Sequence, residues 1–184
     1  TLVAPKVDRL HLEFCTNETA PDTIWSVLRH LHLRHFNIYH SVWSALSDLQ
    51  VLHLQGSGTY VDSTTIRNIS TQCTKLTELT IRCPHLTDAD VCCLLERCVQ
   101  LTKLHIVQSL ITDITLLSIA TYNTRLVELR FEHCSLLGVD GMLAVAHNCR
   151  LLKKCLCQPS SLAILDHDTL CVAFEQSGVV ALRL

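Results

Sequence analysis

No long apolar run occurs in this chain. Val91-Cys92-Cys93-Leu94-Leu95 is typical of the longest, far short of the roughly 20 residues that cross a bilayer, so no transmembrane helix is expected. The chain lacks an initiator Met, and it lacks a basic stretch followed by an apolar core, so no signal peptide is legible. Charge of one sign is not in excess. Fifteen Lys and Arg against 17 Asp and Glu leave a formal net charge of −2, which argues against a nucleic-acid binder held by phosphate contacts. Catalytic signatures are also missing. There is no G-x-S-x-G elbow, Gly56-Ser57-Gly58 is a lone glycine pair that fits a turn, and Asp166-His167-Asp168 fits a helix cap better than a metal triad. No nucleophile and base come together, so the expectation is a non-enzymatic protein without cofactor or bound metal.

What is present is apolar material, at 48% of 184 residues with a mean hydropathy of +0.29, which suits one domain with a continuous core and not a disordered chain. Eleven cysteines would suggest a disulfide scaffold in a short secreted chain, but their positions follow a repeat. Cys73, Cys98 and Cys149 share one equivalent position, and Cys15 and Cys134 share another. They read as reduced, mostly buried small hydrophobes, which points to a reducing, intracellular setting, cytoplasmic or nuclear. The sequons at Asn17 and Asn68 favour secretion only weakly.

The repeat is clearest between Cys73 and Leu101. Leu76, Leu79 and Ile81 form L-x-x-L-x-L, Leu86-Thr87-Asp88 follows, and Val91, Leu94, Leu95 and Cys98 have helical spacing. The first apolar residue of each unit falls at Val7, Leu28, Leu49, Leu76, Leu101, Leu126, Leu152 and Val179, at intervals of 21, 21, 27, 25, 25, 26 and 27. A single unit cannot bury its own apolar face, so the units must stack. The two short units should have abbreviated outer sides around Trp25 and Trp43, and the long ones helices near 63–73, 88–98, 113–121, 139–148 and 167–176. Asp62-Ser63, Thr87-Asp88, Thr112-Asp113 and Asp166 are candidate caps for those helices. Period-two alternation turns Leu79 and Ile81 inward and Glu78, Thr80 and Arg82 outward. Strands joined through an outer segment run parallel, and the wider outer layer curves the stack with its sheet concave.

These units resemble the leucine-rich repeat superfamily, and those of 25 to 27 residues with a junction Cys resemble its cysteine-containing class. The resemblance covers nearly the whole chain. It implies an α/β solenoid, a horseshoe segment of seven to eight repeats with a parallel concave sheet and outer helices. Members of that class often follow an F-box in ubiquitin-ligase substrate receptors, and others are scaffold subunits of large assemblies. The mixed unit lengths also resemble repeat regions of trypanosomatid proteins. Asn123 departs from the class by replacing a junction Cys, as do Pro84 and Ser109 at the ladder position kept by Cys15 and Cys134. No F-box, RING or kinase segment is found. Neither end carries a polar cap, so residues 1–184 are expected to be one repeat domain within a longer chain whose flanking domains are missing.

The outward strand positions gather the candidate binding residues. One column contains His11, His32, His53, His105 and Arg130; its neighbour contains Arg9, His30, Glu78, Lys103 and Glu128; Arg34, Arg82 and Glu132 lie beyond. His11, His30, His32 and His53 should form one patch. Three readings are open for it: exposed polar side chains on a binding face, a pH-sensitive or anion-attracting contact, or a metal site, which Arg9 and Arg34 would oppose and no carboxylate is placed to orient. Cys155 and Cys157 should face inward in place of Leu, Cys93 away from the core, and Cys92 along its flank. The expected function is interaction with another protein on the concave face, with an architectural role in a large complex as the alternative. In that alternative, Trp25 or Trp43 would be an outward contact, although core packing is the expected role for at least one of them.

Overall fold

The computed structural model describes residues 8–13, 25–35, 40–56, 61–157 and 167–183. Eight strands form one parallel sheet in chain order: β1 (Arg9–Glu13), β2 (His30–Arg34), β3 (Val51–Gln55), β4 (Glu78–Arg82), β5 (Lys103–Val107), β6 (Glu128–Glu132), β7 (Lys154–Cys157) and β8 (Ala181–Arg183). Among the described residues the intervening helices are α1 (His40–Ala45), α2 (Ser63–Gln72), α3 (Asp88–Leu95), α4 (Asp113–Tyr122), α5 (Val139–Asn148) and α6 (His167–Gln176). The chain is therefore a leucine-rich repeat solenoid. Strands stand about 4.8 Å apart while packed helices need about 8–10 Å, so the stack bends toward the sheet.

Register is fixed at the start of each strand by one repeated device. A single carbonyl accepts from two consecutive amides of the next repeat: Arg29 O from Gln50 and Val51, Gln50 O from Thr77 and Glu78, and Thr77 O from Thr102 and Lys103. The pairing then runs without slippage, as Leu31 to Leu52 to Leu79 to Leu104 to Leu129 shows. A one-residue slip would turn every inward Leu to solvent, so burial and this carbonyl fork enforce the same alignment. After several strands a non-glycine residue adopts the left-handed conformation, namely His35 (φ 49°), Gln108 (φ 55°) and His133 (φ 56°). The turn lets the amides of His35 and Gln108 bond the next strand, at Gln55 O and Glu132 O, before the chain leaves the sheet.

Two ladders run beneath the sheet. The first satisfies carbonyls where the outer segments end: Cys98 Sγ donates to Cys73 O, Asn123 Nδ2 to Cys98 O, and Cys149 Sγ to Asn123 O. Asn123 is thus a functional substitute for the junction Cys. The second joins Cys83 Sγ to Val61 O, Ser109 Oγ to Cys83 O, and Cys134 Sγ to Ile106 O. Here the sequence reading is corrected. Cys83, not Pro84, holds the ladder position, because the unit of β4 lacks the left-handed residue that precedes Ser109 and Cys134.

The bounds of the long helices agree with expectation to within one residue, except that α3 ends at Leu95, three residues early. Asp62 caps α2 by accepting from Thr65 N, Thr87 and Asp90 form a capping box on α3, and Thr112 accepts from Ile114 N. Asp88 instead reaches forward into the next repeat, accepting from the amides and hydroxyls of both Thr112 and Thr115. Partial burial would raise its pKa, but these hydrogen bonds together hold the carboxyl below the usual carboxylate range. Trp25 and Trp43 are each 1% exposed and belong to the core, the role expected for at least one of them, and neither is the outward contact that the architectural alternative offered. Cys155 and Cys157 face inward as expected. Cys93 does not face solvent alone: its sulfur lies 3.5 Å from Ser70 Oγ on α2, while Cys92 Sγ approaches Ile114 O on α4. Val7, Cys15, Asp166, the Ser57-Gly58 part of the expected turn and Leu184 lie outside the described residues. Among the described residues no helix is long and apolar enough to cross a membrane.

Candidate functional site: the open face of the sheet

All thirteen expected binding residues lie at outward strand positions, in three columns set by the strand register. The first contains Arg9, His30, Val51, Glu78, Lys103, Glu128 and Lys154, and the second His11, His32, His53, Thr80, His105, Arg130 and Leu156. The third contains Glu13, Arg34, Gln55, Arg82, Val107 and Glu132. Three of these positions escaped the sequence reading: Glu13, Gln55 and Val107. They share the last strand position with Arg34, Arg82 and Glu132, which the same period-two pattern had already turned outward.

At the β1–β3 end the histidine rings sit side by side across strands, tilted against one another by 56° and 41°. The rings of His11 and His32 are 4.1 Å apart between centroids, and those of His32 and His53 are 5.4 Å apart. With His30, Arg9 and Val51 they line a shallow groove of about 290 Å³, beneath which Leu10 and Leu31 turn their side chains into the core. Burial lowers the pKa of His32, and the adjoining His11, His53 and Arg34 lower it further against an opposing pull from Glu13. Burial likewise lowers that of His53, with Glu78 opposing and His30 assisting. Glu13 brings a carboxylate to the patch that the sequence reading did not place there, but it pairs with Arg34 at 2.8 Å and stands 3.9 Å from His11 Nε2, beyond the distance at which it would orient that ring. Among the described residues no three His, Cys, Asp or Glu side chains converge in a geometry that would hold a metal ion.

The β4–β7 end is built on carboxylates. Glu78 holds Lys103 at 2.7 Å, and Glu128 holds Lys154 at 3.8 Å. Glu132 is approached by His105 at 3.1 Å, Arg130 at 3.8 Å and Arg82 at 4.0 Å. The His105 contact is close but poorly aligned for a hydrogen bond, so it acts as an electrostatic pair. Arg82 reaches Glu132 across the intervening strand, above the buried Val107. One carboxylate therefore serves two guanidinium groups at long range, which leaves both with N–H donors to offer outward.

No protein-family model matches the chain, and a search of curated proteins found none similar to it. Among solved structures it is similar to one described as a plant peptide hormone receptor, RGFR1, in complex with RGF2. The identity is 19% and the TM-score 0.46, with 76% of this chain and 26% of that chain covered. It is also similar to a structure described as the Rad7 and Elc1 complex in yeast, at 15% identity and a TM-score of 0.41, with 82% of this chain and 56% of that one covered. The chain thus spans less than two thirds of either protein's length.

Proposed function

We propose that the chain is a protein-interaction module whose concave sheet face receives a partner, without catalysis of its own. The observation that supports this most is the register of eight strands, which places the thirteen ionisable side chains in fixed columns on one preformed face. Such a face gives specificity through charge pattern and needs no pocket or ordering on binding. Delivery of a bound protein to a ubiquitin ligase, in an intracellular setting, is one use of such a module.

A second reading is favoured by the helical side, where Ile114 (61% exposed) and Leu117 (50%) on α4 lie outward near exposed Leu110 and Tyr122. These residues, and not Trp25 or Trp43, would be the contacts of an architectural subunit. A photo-crosslinking amino acid placed at Thr80 or at Leu117 separates the two. Crosslinks from Thr80, with affinity for the identified protein lowered about tenfold or more by Lys103→Glu plus Arg130→Glu, support the concave reading. Crosslinks from Leu117 alone transfer the function to the helices.

A further inference from the structure

The two ends of the open face differ in how their charges are satisfied. At β4–β7 each described carboxylate already meets a cation of the same face. At β1–β3 the groove is lined by four imidazoles, and Arg9 is the one permanent charge among its lining residues. Arg34 is committed to Glu13 and Glu78 to Lys103. The groups facing the adjoining rings are Arg9, His11 and Glu13 from β1, His30 and Arg34 from β2, and Glu78 from β4. Glu13 and Glu78 are the carboxylates of that set, and each has a closer cationic partner than an imidazole.

We propose that the groove across β1, β2 and β3 seats an extended acidic segment of the partner protein, whose carboxylates bond the edges of His11, His32 and His53 as those rings take up protons. The inference rests on the concave-face reading and gives one part of it a ligand chemistry. Rings this close cannot all carry charge in the free protein, since each protonation opposes the next. Carboxylates laid over the row reverse that opposition, because a protonated ring presents two N–H donors and an ionised carboxylate presents acceptors only. Three neighbouring strands span about 10 Å, which an extended segment covers in about three residues, and Val51 at its outward position supplies an apolar footing for its backbone. A nucleic acid fits less well, because its unbroken negative charge would also run against Glu13, Glu78 and Glu128 on the same face.

The test uses the whole chain and a fluorescently labelled synthetic peptide of glutamate and serine, read by anisotropy between about pH 7.5 and pH 6, where histidine titrates and glutamate does not. Each proton taken up on binding tightens the dissociation constant about tenfold per pH unit, so a several-fold gain on acidification is expected. His32→Gln with His53→Gln should remove that gain, while Lys103→Glu with Arg130→Glu, which lower affinity at every pH, should leave the gain on acidification in place. If the double histidine variant melts early, His11→Gln at the exposed end of the row should give a smaller loss. Four results would overturn the proposal: a flat or reversed pH response, equal binding of the glutamine version of the peptide, preference for an oligothymidine strand, or displacement by inorganic phosphate at the concentration that displaces it by free peptide. If the gain survives loss of the histidines but not of Lys103 and Arg130, this assignment fails while the concave reading stands. If neither pair of substitutions alters peptide binding, both fail.

Discussion

The Asn123 side-chain amide donates to the carbonyl oxygen of Cys98 at 3.0 Å, in the place where Cys98 itself donates to Cys73 through its thiol. The amide is the stronger donor, and its geometry is shorter by several tenths of an ångström. Its cost is Oδ1, which is buried without a hydrogen-bond partner. Asn123→Ala should therefore destabilise by about 1–3 kcal/mol, because it orphans the Cys98 carbonyl and leaves a void. Asn123→Cys keeps a donor and removes the orphaned oxygen, so it should fall within about 1 kcal/mol of the parent. Chemical denaturation of the three proteins checks this. An alanine variant as stable as the parent would mean that the ladder holds nothing together.

Asp88 carries the junction between α3 and α4, since all four of its described bonds go to Thr112 and Thr115 of the following repeat. Asp88→Ala should lower stability by about 1–2 kcal/mol, a few degrees in Tm for a chain of this size, and Asp88→Asn by less. The carboxyl is depressed in the folded state, so its contribution is complete above the unfolded carboxylate pKa of about 3.9 and disappears as pH falls through the lower folded value. Thermal melts of Asp88→Asn should accordingly converge with those of the parent in strong acid.

Much of this was legible in the repeat itself. Five-residue strands with apolar residues at fixed offsets from Leu76, Leu101 and Leu126 leave one register that buries them all, and the register then assigns His11, His32 and His53 to one row. What stayed hidden depends on single-residue differences or on contacts between repeats. Nothing in the identity of His35, Gln108 or His133 announces a left-handed backbone, which glycine would have signalled, so Cys83 could not be placed on its ladder. The short outer segments near Trp25 and Trp43 are too brief to show a helical period and so could not say which way an indole points. Asp88 looks like a local cap in sequence and proves to be a cross-repeat one, because its partners lie 24 and 27 residues away.

The thiols divide by depth. Burial pushes Cys73 and Cys98 up to about 12 and Cys134 and Cys149 up to about 11, which leaves almost no thiolate at neutral pH. Cys92, Cys93 and Cys171 are only partly buried. With a maleimide reagent at pH 7.5, mass spectrometry of the folded chain should find these three labelled well before the other described cysteines, whose buried thiols should react only at the rate of unfolding. Early labelling of Cys98 or Cys149 would show that the inter-repeat ladder opens locally.

The histidines should make stability sensitive to pH in a different window from Asp88. Burial holds His32, His53 and His105 below the ordinary value of 6.5, which their unfolded counterparts keep. Between that value and the lower folded ones, the unfolded chain binds more protons than the folded chain, so stability rises with pH and is lost on acidification. Depressed carboxylates contribute nothing to this loss until the pH nears about 4. The Tm should therefore fall as pH is lowered from about 7.5 to about 5.5, before any carboxylate titrates, and His32→Gln with His53→Gln should flatten the fall without abolishing it. His105 remains to supply the rest, although Glu132 beside it opposes its depression and limits its share. A slope unchanged in the double variant would mean that the adjoining rings are as well solvated as in the unfolded chain. It would also remove the electrostatic strain that an acidic partner is proposed to relieve.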